Sequence, residues 1–217
     1  MKYIQKGKEP QVFSEWKAKQ RPLGVNYNNY NDFRNPEKDS VHSSLLSEQG
    51  YICCYCCQRV DKTNSHIEHL APQSKTDSEL SVDYTNMLAS CGRDTNKPDY
   101  RWPDYCGNKK GDLAIKVSPL QANCEEFFNY SSTGEILPTA NNLAQQKDAQ
   151  TTIEVLGLNH YDLMQGRIQA LEALQGIMTQ EEAELLAQVC QQMNAQGRYQ
   201  PFCNAVLYFL KNYFGVS

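Results

Sequence analysis

Chemistry concentrates in the run His66-Ile67-Glu68-His69. An imidazole beside a carboxylate is a pairing that hydrolysis can use, because the carboxylate can hold a divalent metal while the ring takes a proton from water. In a regular strand Glu68 and His69 point to opposite sides, whereas at a strand end both can serve one site. Pro72 ends the strand shortly after His69. Asn86 stands where a following helix could return its amide to orient this loop, and Asn108 could offer an amide oxygen to the same metal. A hard cation such as Mg²⁺ takes oxygen ligands of this kind together with substrate phosphate.

The second constellation is sulfur. The chain carries 9 cysteines, five of them crowded between residues 53 and 91. Without a secretion signal, that odd number favours metal over disulfides. A closed structural zinc site needs four thiolates or imidazoles in a tetrahedron, and Cys53-x-x-Cys56 with Cys91 and Cys106 meets that need. Cys54-x-x-Cys57 is an equally legal first knuckle. Cys124, Cys190 and Cys203 lie in apolar-patterned segments and read as small buried hydrophobes.

The elements that must position these residues follow from local pattern. Residues 1–36 are rich in Asn, Pro and Tyr and read as a wrapping arm, with one or two helical turns over 12–19 broken at Arg21-Pro22-Leu23-Gly24. Val41, Leu45 and Leu46 at helical spacing, with Gly50 as the stop, predict a helix feeding the cysteine knuckle. Between Cys57 and Asp112 the pattern is turns and short strands, a helix starting near Asp83 or Tyr84, and a second helical start near Cys106. Residues 92–105 form a polar loop suited to substrate or partner contact. Phe127-Phe128-Asn129-Tyr130 and Glu135-Ile136-Leu137 flank a glycine-containing turn and predict a hairpin. From Asn141 onward four helices are expected, near 142–156, 160–177, 180–195 and 201–214, the third opened by a Thr179/Glu182 capping box.

At 217 residues the chain has room for one domain with an appendage or two small ones. Its composition excludes disorder. No apolar run is long enough to span a membrane, and Met1-Lys2-Tyr3-Ile4-Gln5-Lys6 is not followed by an apolar signal region, so a cytoplasmic location without membrane association is expected. The net charge of −4 is uneven. Residues 1–50 carry eight Lys or Arg against six acids, 51–112 eight against nine, and 113–217 five against ten. The basic arm, Lys2, Lys6, Lys8, Lys17, Lys19 and Arg21, could meet phosphates, although scattered lysines are more commonly a solvated surface.

Taken together, Ile52-Cys53-Cys54-Tyr55-Cys56, His66-Ile67-Glu68-His69-Leu70-Ala71-Pro72-Gln73-Ser74, Tyr84-Thr85-Asn86-Met87-Leu88-Ala89-Ser90-Cys91 and Cys106-Gly107-Asn108-Lys109-Lys110-Gly111 resemble the HNH (ββα-metal) endonucleases. Within that family the likeness is to the PtuB-type nucleases of Septu and retron-associated antiphage systems, and it covers roughly residues 1–140. The resemblance implies an α+β fold: an N-terminal arm and helix over 1–50, a zinc-stapled ββα-metal module with a hairpin over 51–140, and a helical domain over 141–217. It implies His69 as general base, Glu68 as the acidic metal ligand, Asn86 as the central asparagine, and Cys53 and Cys56 in preference to Cys54 and Cys57. The family places His or Asn directly after the last cysteine. Here Gly107 intervenes, so the second ligand falls to Asn108, with Asp112 or His66 as substitutes.

The activity so implied is hydrolysis of nucleic-acid phosphodiesters, duplex DNA first and structured RNA second, with Mg²⁺ or Mn²⁺ catalytic and Zn²⁺ structural. Implied partners are an ABC-type ATPase of the PtuA kind and, in some systems, a retron reverse transcriptase with its RNA and DNA product. The alternative is a non-catalytic zinc-knuckle subunit that binds nucleic acid or a partner. Such a binder has no need of Glu68 beside His69 with Asn86 to position them.

Overall fold

Ser65–His69 form strand β1 and Met87–Cys91 form strand β2 of an antiparallel pair. Ser65 stands opposite Cys91, His66 opposite Ser90, Ile67 opposite Ala89, Glu68 opposite Leu88 and His69 opposite Met87. This computed structural model describes residues 1–20, 33–75, 80–92, 103–140, 142–172, 174 and 179–216. The break at Arg21-Pro22-Leu23-Gly24 and nearly all of the polar loop, residues 93–102, lie outside the described residues.

The helix expected from Asp83 or Tyr84 does not form. The Asp83 carboxylate accepts from the Thr85 N–H at 2.8 Å and caps a single 3-10 turn, Tyr84–Asn86, after which Met87 is already extended. A capping aspartate announces either kind of turn, and a short apolar run suits strand or helix alike. Pairing with β1 decides the matter, and all five residues of β2 are buried.

Helix α1, Gln11–Gln20, is longer than the turn or two expected, because Phe13 and Trp16 stack on each other and both pack tilted against Phe33. Helix α2, Glu37–Glu48, buries Val41, Leu45 and Leu46 and ends just before Gly50, which has φ +57°. Immediately after it, the buried Gln49 side chain takes over part of the edge of β2. Its amide nitrogen donates to the carbonyls of Ile52 (2.9 Å) and Ala89 (2.8 Å), and its oxygen accepts from the Ala89 N–H (2.7 Å). The Cys54 N–H also reaches the Ala89 carbonyl, at 3.1 Å. One glutamine thus does for this strand what a third strand would do.

A short helix α3, Cys106–Lys110, contacts β2. Strands β3, Phe128–Tyr130, and β4, Ile136–Pro138, make the expected hairpin, with Gly134 at φ +76° in its turn. Four helices follow: α4 Leu143–Leu156, capped by Asn142 and stopped by left-handed Gly157; α5 Tyr161–Glu172; α6 Gln180–Gln191, with the Thr179/Glu182 capping box in place; and α7 Cys203–Phe214. One buried cluster joins α1, α2, the cysteine knuckle, both sheets and α4. A second joins Ile52 and Cys57 to α6 and α7. No helix among the described residues is long and apolar enough to cross a membrane.

Replacing Gln49 with Leu keeps the volume but strands the Ala89 N–H and the Ile52 carbonyl, while the Ala89 carbonyl keeps the Cys54 N–H. A loss of about 1–3 kcal/mol in urea unfolding of the zinc-loaded protein is expected. A variant as stable as wild type would show that the glutamine does not hold the strand edge.

Candidate functional site

Three segments far apart in sequence meet at sulfur. Cys53 and Cys56 sit in a knuckle closed by the Ile52–Arg59 bridge and by the Cys53 N–H to Gln58 carbonyl bond (2.8 Å). Cys91 ends β2 and Cys106 opens α3. The four sulfurs lie within 4.8 Å of one another, all buried. The Cys56 and Cys91 sulfurs are 3.7 Å apart, and tetrahedral zinc with bonds of about 2.3 Å sets its sulfurs about 3.8 Å apart. The donor set, its burial and its spacing therefore fit a zinc ion. The Cys91 N–H points at the Cys53 sulfur from 3.3 Å, as a partner behind a metal-bound thiolate does. Burial opposes ionisation of Cys53, yet hydrogen bonds from the Cys106, Cys54, Cys56 and Cys91 thiols hold it well below the usual thiol range.

The choice between knuckles is thus made by direction. Cys54 stands outside the four-sulfur group, and Cys57 turns to hydrogen-bond with Cys203. None of the nine cysteines is in a disulfide. Cys124, Cys190 and Cys203 are fully buried, as small hydrophobes are.

On the face of β1 turned toward α3 lies Glu68, 7% exposed. Its Oε1 accepts from Lys110 Nζ at 2.9 Å and from the Tyr55 hydroxyl at 3.2 Å, and its Oε2 stands 3.3 Å from His66 Nε2. Lys110, 1% exposed, also donates to the His69 carbonyl at 2.8 Å. Burial pushes the Glu68 carboxyl up, but the His66 hydrogen bond and the Lys110 charge outweigh it and hold the group below its ordinary value. For His66, burial pushes the imidazole down, and the hydrogen bond and charge of Glu68 more than reverse this. Removing the ammonium would leave the buried carboxylate only His66 and the Tyr55 hydroxyl, at a cost of up to about 3–5 kcal/mol.

His69 is the last residue of β1, and its ring turns the other way. Its Nε2 meets the Ser81 carbonyl at 2.9 Å. A carbonyl only accepts, so Nε2 carries the proton and the neutral ring keeps its lone pair on Nδ1. Burial pushes this imidazole below its ordinary value, more than the Ser81 carbonyl and the nearby Glu68 charge raise it. Asn86 sets the loop that carries Ser81. Its Oδ1 accepts from the Ala71 N–H (2.7 Å), and its Nδ2 donates to the carbonyls of Ala71 (3.1 Å) and Leu80 (3.0 Å). These bonds are made from a 3-10 turn and not from a helix.

Asn108 is not brought to Glu68. Its Nδ2 donates to the Pro103 carbonyl at 3.3 Å, and its amide packs where a side chain on Gly92 would stand. Asp112 is exposed, two residues beyond the end of α3. His66, in contrast, is in contact with Glu68. Tyr55, Lys110 and Ser90, the last accepting from the Gly107 N–H at 3.1 Å, are site residues that the sequence does not single out. The only available signal is that all three lie inside the three cysteine-bearing motifs.

The chain is 29% identical over 161 residues to the "Retron Vc95 putative HNH endonuclease" of Vibrio cholerae serotype O1 biovar El Tor, spanning 73% of this chain and 76% of that one. It is 27% identical over 197 residues to the "Retron Ec83 putative HNH endonuclease" of Escherichia coli, spanning 73% and 74%. No family model matches the sequence. The two similarities support an HNH nuclease family for this chain.

Metal analysis of the purified protein should find about one zinc per chain. Cys106→Ser should lose that zinc and unfold at urea concentrations that wild type withstands. A zinc-free protein with native stability would remove the metal from the frame.

Proposed function

We propose that the chain is a metal-dependent HNH endonuclease that hydrolyses phosphodiester bonds of nucleic acid as an effector of bacterial antiphage defence. The observation that carries this reading is the junction of β1 with α3. There a buried, ionised Glu68 stands one residue before a buried, neutral His69 whose tautomer is set by the Ser81 carbonyl. The names of the two relatives, each a retron "putative HNH endonuclease", support it. A binding-only module gives no reason to bury a carboxylate and a neutral imidazole on consecutive residues.

Glu68 would hold a divalent cation, Mg²⁺ or Mn²⁺, and when bound that cation supplies Lewis-acid stabilisation of the phosphate in the transition state. His69 takes the proton of the attacking water on Nδ1 as the water oxygen bonds to phosphorus and the opposite ester oxygen departs. The Ser81 carbonyl takes up the Nε2–H of the resulting imidazolium, as an orienting group should. Asn86 holds the loop that presents Ser81. Lys110 pins the His69 backbone and Glu68 with one ammonium, fixing base and ligand relative to each other. The four sulfurs hold the frame and take no part in chemistry.

Duplex DNA is the first substrate to try and structured RNA the second; the motif reads phosphate geometry more than bases and does not choose between them. The resemblance to PtuB-type nucleases adds an ABC-type ATPase of the PtuA kind as partner. The same resemblance adds, in some systems, a retron reverse transcriptase with its RNA and DNA product, and both relatives carry the word retron in their names.

Plasmid DNA and total cellular RNA should be cut by wild type with Mg²⁺ or Mn²⁺, alone or with the ATPase, and spared in EDTA. His69→Ala should lose cleavage by roughly 10²-fold or more while keeping its zinc and its unfolding midpoint. Cutting at the wild-type rate by His69→Ala would reject the assignment of the base. No cutting by wild type under any of these conditions would favour a binding-only subunit.

A further inference from the structure

On β1 the proposed cation would need a second protein ligand beside Glu68. The position directly after the last cysteine, on α3, is glycine. A Cβ on Gly107 would lie 2.5 Å from Glu68 Oε2, 2.7 Å from His66 Nε2 and 3.0 Å from Ser90 Oγ, closer than folded proteins tolerate. The space that a helix-borne side chain would fill is therefore taken by two strand side chains, two residues apart on one face of β1.

The hydrogen bonds of His66 say what that pair is suited to hold. Nδ1 faces the Gly92 carbonyl at 3.1 Å, so Nδ1 carries a proton and donates it. In the neutral ring Nε2 then presents a lone pair to Glu68 Oε2, 3.3 Å away and also an acceptor. Two acceptors at that distance repel unless positive charge lies between them, which leaves a second proton or a metal cation. Two ligands at right angles on an octahedral cation, each at about 2.1 Å, stand about 3.0 Å apart. Oε1 is already engaged by Lys110 and Tyr55, which aims Oε2 at His66.

We propose that His66 and Glu68 form a nitrogen–oxygen chelate for the catalytic cation, with Gly107 clearing the space for it, and that this chelate prefers Mn²⁺ or another first-row divalent ion to Mg²⁺. Imidazole suits such ions, whereas Mg²⁺ takes oxygen ligands. This ligand assignment rests on the nuclease reading. It displaces Asn108, which is engaged with Pro103, and Asp112, which is exposed past α3.

The test is MnCl₂ and MgCl₂ titration of the full-length, zinc-loaded chain by calorimetry, with Mn²⁺ followed independently by electron paramagnetic resonance and zinc content and circular dichroism recorded for every variant. Wild type should bind Mn²⁺ more tightly than Mg²⁺. His66→Ala should weaken Mn²⁺ binding by at least the roughly 10–100-fold that loss of an outer partner costs a metal site. Asn108→Ala should leave binding unchanged. Gly107→Ala, which keeps both ligands, should weaken it by crowding them. His66→Asp should retain a site but turn its preference toward Mg²⁺, a change that a merely structural histidine would not produce.

If Glu68→Gln abolishes Mn²⁺ binding while His66→Ala binds as wild type does, the chelate is wrong and the nuclease reading stands. A dependence on Asn108 with none on His66 would place the ligand on α3 and likewise overturn the proposal. If wild type binds no divalent cation beyond its zinc, the chelate and the metal-dependent nuclease fall together.

Discussion

Four sulfurs gathered within 4.8 Å are the constraint on which the rest of the site depends. They tie the knuckle at 53–56, the end of β2 and the start of α3 to one point, and each segment then delivers something to Glu68. The knuckle brings the Tyr55 hydroxyl, β2 brings Ser90 against the backbone of α3, and α3 brings Gly107 and Lys110. A five-residue helix is far too short to be stable by itself. Anchored at its first residue by Cys106, it can still carry a buried lysine to a strand residue some forty positions away in sequence.

Glu68 is the second level of that construction. A carboxylate this buried is tolerable only when its charge is met, and three groups from three elements meet it. The split between its oxygens matters for chemistry: Lys110 and Tyr55 hold Oε1, and Oε2 faces His66. Lys110 also grips the His69 carbonyl, so the acidic residue and the imidazole after it are fixed through one ammonium although their side chains leave β1 on opposite sides. On the far side, the amide of Asn86 closes the loop and the Ser81 carbonyl selects the tautomer of His69.

Support for β2 comes from outside the sheet. A two-stranded ribbon has little stability alone, and here the Gln49 side chain satisfies both polar groups of Ala89. Gln49 follows directly on α2, so the packing of Val41, Leu45 and Leu46 bears on the strand register that sets His66 opposite Ser90 and Glu68 opposite Leu88.

The residue types and spacings by themselves determined the cysteine inventory, the run from His66 to His69, the hairpin with its glycine turn, and the later helices with the Thr179/Glu182 signal, because each of these is local chemistry repeated over a few residues. The 3-10 turn at Tyr84–Asn86 was hidden, since an aspartate cap reads the same before a longer helix and only pairing with β1 made Met87–Cys91 a strand. Which of two legal knuckles points at Cys91 and Cys106 was likewise open, because adjacent cysteines differ only in direction. Tertiary structure alone decided that Lys110 and Tyr55 meet Glu68, that Asn108 turns to Pro103, and that the glycine after Cys106 faces a histidine on the strand. Spacing along a chain constrains neighbours within a turn or a strand, and says nothing of which side chains converge once distant segments are drawn to the same sulfurs.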